Sequence, residues 1–206
     1  MGKLFFKEGK KYRFSDYFDF NNSTEDIAND FGYSFDTKIL DLPLSEHVNK
    51  NEVRQLQERF YEILPKLTLN SEMAKRDFMI APILWSILLY VKAKIYVEYF
   101  IEIDEVLGGS LDYLIRSGQE LIVIEAKKGD LDKGFNQLAA ELIALDKSEQ
   151  ADAPASLYGA VSIGELWRFG VLERTRRSIY KDLHTYRVPE DLEKIFAIIL
   201  GITQKV

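Results

Sequence analysis

The sequence predicts an α/β fold, a mixed sheet flanked by helices, because the period of its apolar residues changes twice. From residue 71 to about 95 they recur at helical spacing, and from 96 to 127 they alternate or run together as in strands. From Asp132 to Lys147 the helical spacing returns, followed by further strand-like segments. A hydrophobic content of 47% over 206 residues suffices for one domain with a real core and an accessory segment. The 13% aromatic content argues against disorder over most of the length.

Residues 1–50 read as irregular and aromatic-rich (Tyr12, Phe14, Tyr17, Phe18, Phe20), with room for two short helices. Asn51 is a candidate cap for a helix to about Leu64, where Val53, Leu56, Phe60, Ile63 and Leu64 form one stripe and Pro65 ends it. Ser71 caps the next helix, with Glu72 in its first turn. The stripe from Ile80 to Ile95 continues it, and Pro82 predicts a kink or two abutting helices. Strands follow over 96–104, Leu111–Arg116 and Glu120–Lys127, the last two joined around Ser117-Gly118. A helix over 132–147 turns Phe135, Leu138, Leu142 and Leu145 inward. Strands at 157–162, 166–172 and 178–183 precede a final helix after Pro189 that ends near Gly201. Residues 1–70 are expected to pack as an N-terminal accessory segment on a domain spanning 71–206.

Composition excludes several functions. There are no cysteines, so disulfide scaffolds and thiolate metal sites are ruled out, and a reducing cytoplasm is the expected home. The N-terminal residues lack the apolar stretch of a secretory signal, and the most apolar window, Ile80–Val91, is too short to span a bilayer. No partnership with a membrane is expected. His47 and His184 have no neighbours at zinc-ligand spacing, and there is neither a phosphate-cradling GxxxxGK[ST] loop nor a GxSxG elbow. A net charge of −6 argues mildly against indiscriminate binding of nucleic acid.

The chemistry centres on Leu121-Ile122-Val123-Ile124-Glu125-Ala126-Lys127. Four apolar residues in a row imply a strand covered on both faces, and alternation brings Glu125 and Lys127 out on one of them. Asp112 stands on the preceding strand. A two-residue turn sets Asp112 across from Val123 and diagonal to Glu125, roughly 7–8 Å away on the same face. A four-residue turn sets it directly across from Glu125, whereas a three-residue turn puts the two acids on opposite faces. Convergence of the acids through this hairpin therefore requires two or four residues, and three would refute it. Glu8-Gly9-Lys10 and Asp36-Thr37-Lys38 repeat the acid-x-Lys spacing without an apolar lead-in or a second acid.

Gly109-Ser110-Leu111-Asp112-Tyr113, Ile124-Glu125-Ala126-Lys127 and Gln137-Leu138-Ala139-Ala140-Glu141 together resemble the PD-(D/E)XK nuclease superfamily over residues 71–173. The resemblance implies a restriction-endonuclease-like core of helix, three-stranded meander, helix and further strands. It implies a Mg²⁺- or Mn²⁺-dependent endonuclease acting on DNA. Asp112, Glu125 and the Ala126 carbonyl would hold the metal, Lys127 would stand near the attacking water, Gln137 would face the site, and Glu72 would supply a further acid. Leu111 stands where the family name places a proline. By analogy with relatives, a homodimer is a further expectation, with residues 1–70 as a lid or dimer contact.

Each residue also has an ordinary reading. Asp112 fits a strand-edge acid, Glu125 and Lys127 a surface pair, Glu72 a helix-start charge, and Gln137 with Glu141 a solvated helix face. Arg168, Arg174, Arg176, Arg177 and Lys181, interleaved with Trp167, Tyr180 and Tyr186, make a candidate nucleic-acid surface. They also fit a hairpin balanced by Glu165, Glu173 and Asp182. The competing function is a catalytically silent module that binds nucleic acid or a protein on the same fold.

Overall fold

An unbroken apolar run, Leu121–Ile124, lies at the heart of an eight-stranded mixed sheet in the computed structural model. The structure describes residues 6, 7, 9–117, 120–125, 129–148 and 154–204, with the backbone alone for 120–125. The strands are β1 (Ser34–Lys38), β2 (Lys94–Glu102), β3 (Gly108–Arg116), β4 (Glu120–Glu125), β5 (Ser156–Ser162), β6 (Leu166–Glu173), β7 (Ser178–Asp182) and β8 (Tyr186–Arg187). They lie in the order β1-β7-β6-β5-β4-β3-β2, with β8 also paired to β6. β1 runs parallel to β7 and β4 parallel to β5, and the remaining pairs are antiparallel.

The helices are α1 (Phe14–Phe18), α2 (Thr24–Asp30), α3 (Lys50–Ile63), α4 (Glu72–Lys75), α5 (Ala81–Leu88), α6 (Leu131–Ser148) and α7 (Leu192–Gln204). Two cores form, one on each face of the sheet. Helices α1, α2 and α6 pack with Leu114, Val161 and Leu172 on one side, while α3, α5 and α7 pack with Tyr113, Ile115 and Ala160 on the other.

Helix α6 is the axis of the first core. Every residue from Gly134 to Leu145 is buried, although the sequence turns only one stripe inward. The reason is the N-terminal segment, whose α1 and α2 cover the face of α6 turned away from the sheet. A buried polar link fixes that cover: Thr24 Oγ1 donates to Asn136 Oδ1 at 2.7 Å, and Asn136 Nδ2 donates to the Asn22 carbonyl at 3.1 Å. The described part of the N-terminal segment thus enters the fold itself, and β1 completes the sheet beside β7.

The helix expected from Ser71 to Ile95 is divided. Ser71 caps α4 by accepting from the Ala74 amide at 3.1 Å. A π-helical turn, Arg76–Ile80, then joins α4 to α5. Pro82 explains it, because its ring crowds the carbonyl four residues back and it has no N–H to donate. Helix α5 stops at Leu88, and Ile95, expected in its last turn, instead pairs with Ile115 between β2 and β3. β-Branched Ile95 and Val97 with Tyr96 and Tyr99 favour the strand. Among the described residues, no helix is long and apolar enough to cross a membrane.

Candidate functional site

One cleft of about 580 Å³ opens where α4, the π turn, β2, β3, α6 and the start of α1 meet. Three residues singled out from the sequence line it: Glu72 from α4, Asp112 from β3 and Gln137 from α6. Arg13, Arg76, Glu98 and Phe100 line it as well, and spacing in the sequence gave no sign of them.

Asp112 occupies an interruption in the sheet. Glu98, which would stand across from it on β2, has φ of +55°, and the β2–β3 ladder passes from Val97–Tyr113 to Tyr99–Leu111. The β3–β4 ladder begins only at Tyr113–Val123. Side-chain alternation resets at this point, since Leu111 and Leu114 pack into the same core while Tyr113 and Ile115 pack into the other. A left-handed backbone at a residue with a Cβ is costly, and such positions cluster at functional sites.

The β3–β4 turn contradicts one expectation. Arg116 pairs with Glu120, so three residues intervene, and the ladder carried onward sets Leu111 across from Glu125. That is the register expected to separate Asp112 from Glu125. The hairpin therefore does not bring the two acids together in the way the sequence suggested. Gly118 and Gln119 in the turn lie outside the described residues, as do Ala126, Lys127 and the Glu125 side chain. The Glu125 backbone ends β4, paired with Ser162.

The electrostatics of the cleft rest on Arg76 and Glu141. The Arg76 guanidinium approaches Asp112 Oδ1 at 3.8 Å and Glu98 Oε1 at 3.5 Å, and the Arg76 and Asp112 side chains are mostly covered, at 21% and 28% exposure. Gln137 and Glu141 are not on a solvated face, contrary to the ordinary reading of them, because α1 and α2 bury that side of α6. Gln137 is 5% exposed and Glu141 fully buried. Gln137 Nε2 donates to Glu141 Oε1 at 2.9 Å, while Gln137 Oε1 and Glu141 Oε2 have no hydrogen-bond partner among the described residues. Burial pushes the Glu141 carboxyl well above the usual carboxylate range; the Gln137 hydrogen bond opposes this, and the charge of Asp112 adds to it.

The residues of the candidate nucleic-acid surface make contacts within the protein. Arg168 and Lys181 both bind Asp132 Oδ1, at 3.0 and 2.9 Å, and the Lys181 hydrogen bond chiefly holds that carboxyl below its ordinary range. Arg174 is locked to Asp146, Arg176 pairs with Glu173 at 3.0 Å, and the Arg177 guanidinium lies 4.8 Å from the Tyr33 ring centroid. These residues mainly satisfy local acids and an aromatic ring, and none of them lines the cleft.

Among the described residues, no three histidine, aspartate or glutamate side chains stand close enough to share a metal ion. Comparison of the chain with protein-family models, with curated proteins and with solved structures returns no match.

Proposed function

We propose that the chain is a divalent-metal-dependent nuclease that hydrolyses phosphodiester bonds of DNA on a restriction-endonuclease-like core. The observation that carries this reading is the meeting of Glu72, Asp112 and Gln137, chosen from the sequence and borne by three separate elements, in one cleft. The order of elements supports it too: helix, meander β2-β3-β4, helix α6, then β5 parallel to β4. Glu125 belongs to the proposal through its place at the end of β4, beside the strand that bears Asp112, and not through the hairpin register.

The donor set fits a hard cation. Carboxylate and amide oxygens are what Mg²⁺ and Mn²⁺ take, and Gln137 Oε1 is a buried acceptor at the same cleft with no partner among the described residues. Asp112, Glu125 and Glu72, with the Ala126 carbonyl, are the proposed holders. A cation held by these residues would supply Lewis-acid stabilisation of the phosphate and would lower the pKa of a water. Gln137, anchored by Glu141, accepts a hydrogen bond from the attacking water through its Oε1 and orients it. Lys127 balances the charge that grows on the phosphate as the new bond forms. Arg76 holds the Asp112 carboxylate at the cleft wall and is placed to transfer its guanidinium to a phosphate oxygen.

The test is incubation of the purified protein with plasmid and with single-stranded DNA in Mg²⁺, Mn²⁺ or EDTA, beside Asp112→Ala and Lys127→Ala. Cleavage is expected in either metal, absent in EDTA, and reduced roughly 10²–10³-fold by either substitution. Cleavage that survives EDTA or a substitution overturns the site. The Arg76–Asp112 contact favours a second reading, a silent binding module whose acid already has a protein cation. Failure to cleave in any metal, with binding of DNA retained, selects that reading.

A further inference from the structure

We infer that the cleft admits single-stranded DNA, with Arg13 gripping a backbone phosphate and Phe100 stacking a base. The inference rests on the nuclease reading only for what happens next to the strand, not for its binding. Phe100 stands on β2, at the open edge of the sheet, and is 55% exposed. A large aromatic ring exposed at the mouth of a polar cleft is costly to leave in water and is the platform on which unpaired bases stack. The Arg13 guanidinium lies 5.6 Å from its ring centroid, and both residues line the cleft. A cation and an aromatic ring side by side match the alternation of phosphate and base along a single strand.

The backbone at Arg13 is held firmly. Its amide donates to Asp16 Oδ2 at 2.7 Å, and Phe14, next in the chain, is buried against Gly109. A Cβ on Gly109 would lie 2.9 Å from the Phe14 ring, so only glycine lets α1 sit this close to β3. The side chain is freer. Its partner, Glu102 Oε1 at 3.0 Å, is itself exposed, and such a pair exchanges readily for a phosphate. Charge is divided along the cleft: Arg13 lies beside Glu102 and Phe100, while Glu98 and Asp112 flank Arg76 and Glu72 adds a further acid to the lining. Phosphate contacts therefore belong at the Arg13 end. The cleft, at about 580 Å³, is the size of a ligand pocket and holds a splayed-out nucleotide, not a duplex.

The experiment measures fluorescence anisotropy of a labelled oligothymidylate and of a duplex hairpin, in EDTA, with the full chain and with Arg13→Gln, Phe100→Ala and Phe100→Tyr. The single strand should bind more tightly than the hairpin. Phe100→Ala should weaken it about 5- to 150-fold, and Phe100→Tyr should restore it. Arg13→Gln should weaken it and lower the slope of log affinity against log salt by about 0.7. Preference for the duplex, or single-strand affinity unmoved by both Arg13→Gln and Phe100→Ala, overturns the inference. The cleavage assay separates the two ideas. Metal-dependent cleavage with unaltered single-strand binding in these variants removes this inference alone. Binding that depends on Arg13 and Phe100 without cleavage sustains it and removes the nuclease reading.

Discussion

Replacing Glu141 with glutamine should make the protein more stable at pH 8 and leave it nearly unchanged at pH 5. Glu141 is fully buried, its only described hydrogen bond comes from neutral Gln137, and among the described residues no cation is positioned to pair with it. Its carboxyl pKa is raised above the ordinary 4.5. The folded state therefore keeps a proton that the unfolded chain releases as pH climbs past that value. The contribution is fully present below the unfolded pKa and declines as pH rises toward the folded one. Within that window the wild type loses up to about 1.4 kcal/mol per pH unit, and the amide loses nothing. For a chain of this size about 1.4 kcal/mol corresponds to roughly 3–6 °C in Tm. Asp132 and Asp191, whose carboxyls are held low, lose stability in the opposite direction as pH falls, but equally in both proteins. The difference in Tm between Glu141→Gln and wild type, followed by thermal unfolding in EDTA from pH 5 to 8, isolates the buried carboxyl. A difference that stays constant across the range refutes the assignment of a neutral Glu141.

Two further substitutions test the packing. Gly201→Ala should destabilise the protein by about 1–3 kcal/mol, although alanine is the better helix former by up to about 1 kcal/mol. A Cβ there would lie 2.4 Å from the Pro43 carbonyl oxygen, backbone that cannot swing aside; a raised Tm would contradict the close approach of that segment to α7. Arg174→Ala should cost up to about 3–5 kcal/mol, because it removes the cation beside Asp146, whose side chain is only 13% exposed and keeps the Tyr33 hydroxyl as a neutral donor. Arg176→Ala, at 70% exposure, should change stability by less than about 0.5 kcal/mol, and equal effects by urea unfolding would show that the two arginines do not differ in burial.

The sequence was most legible where short-range chemistry sets structure. The Ser71 cap, the break before Pro82, the helix from Asp132 and the strands to 182 follow from capping, a missing N–H and apolar period. It was least legible where the outcome depends on distant segments. Nothing in Ser34-Phe35-Asp36-Thr37-Lys38 says that it will pair with β7, more than 140 residues away. The burial of Gln137 and Glu141 depends likewise on α1 and α2 covering a helix face that looks polar in isolation. Of the site, Glu72, Asp112 and Gln137 were legible as residue types in context. Arg13, Arg76, Glu98 and Phe100 were not, because a folded chain and not a motif brings them to the cleft. The hairpin register was misjudged because Ser117-Gly118 specifies a turn without specifying its length.

The left-handed Glu98 has an effect beyond the cleft. β2 is an open edge of the sheet, nine residues long, with Val97 and Phe100 exposed at 56% and 55%. A flat edge of that length and character is a template for strand addition by another copy of the chain. The left-handed residue 98 divides its paired residues into two four-residue stretches, 94–97 and 99–102. Neither stretch offers a long straight ladder, so the distortion that accompanies Asp112 also guards the protein against edge-to-edge aggregation.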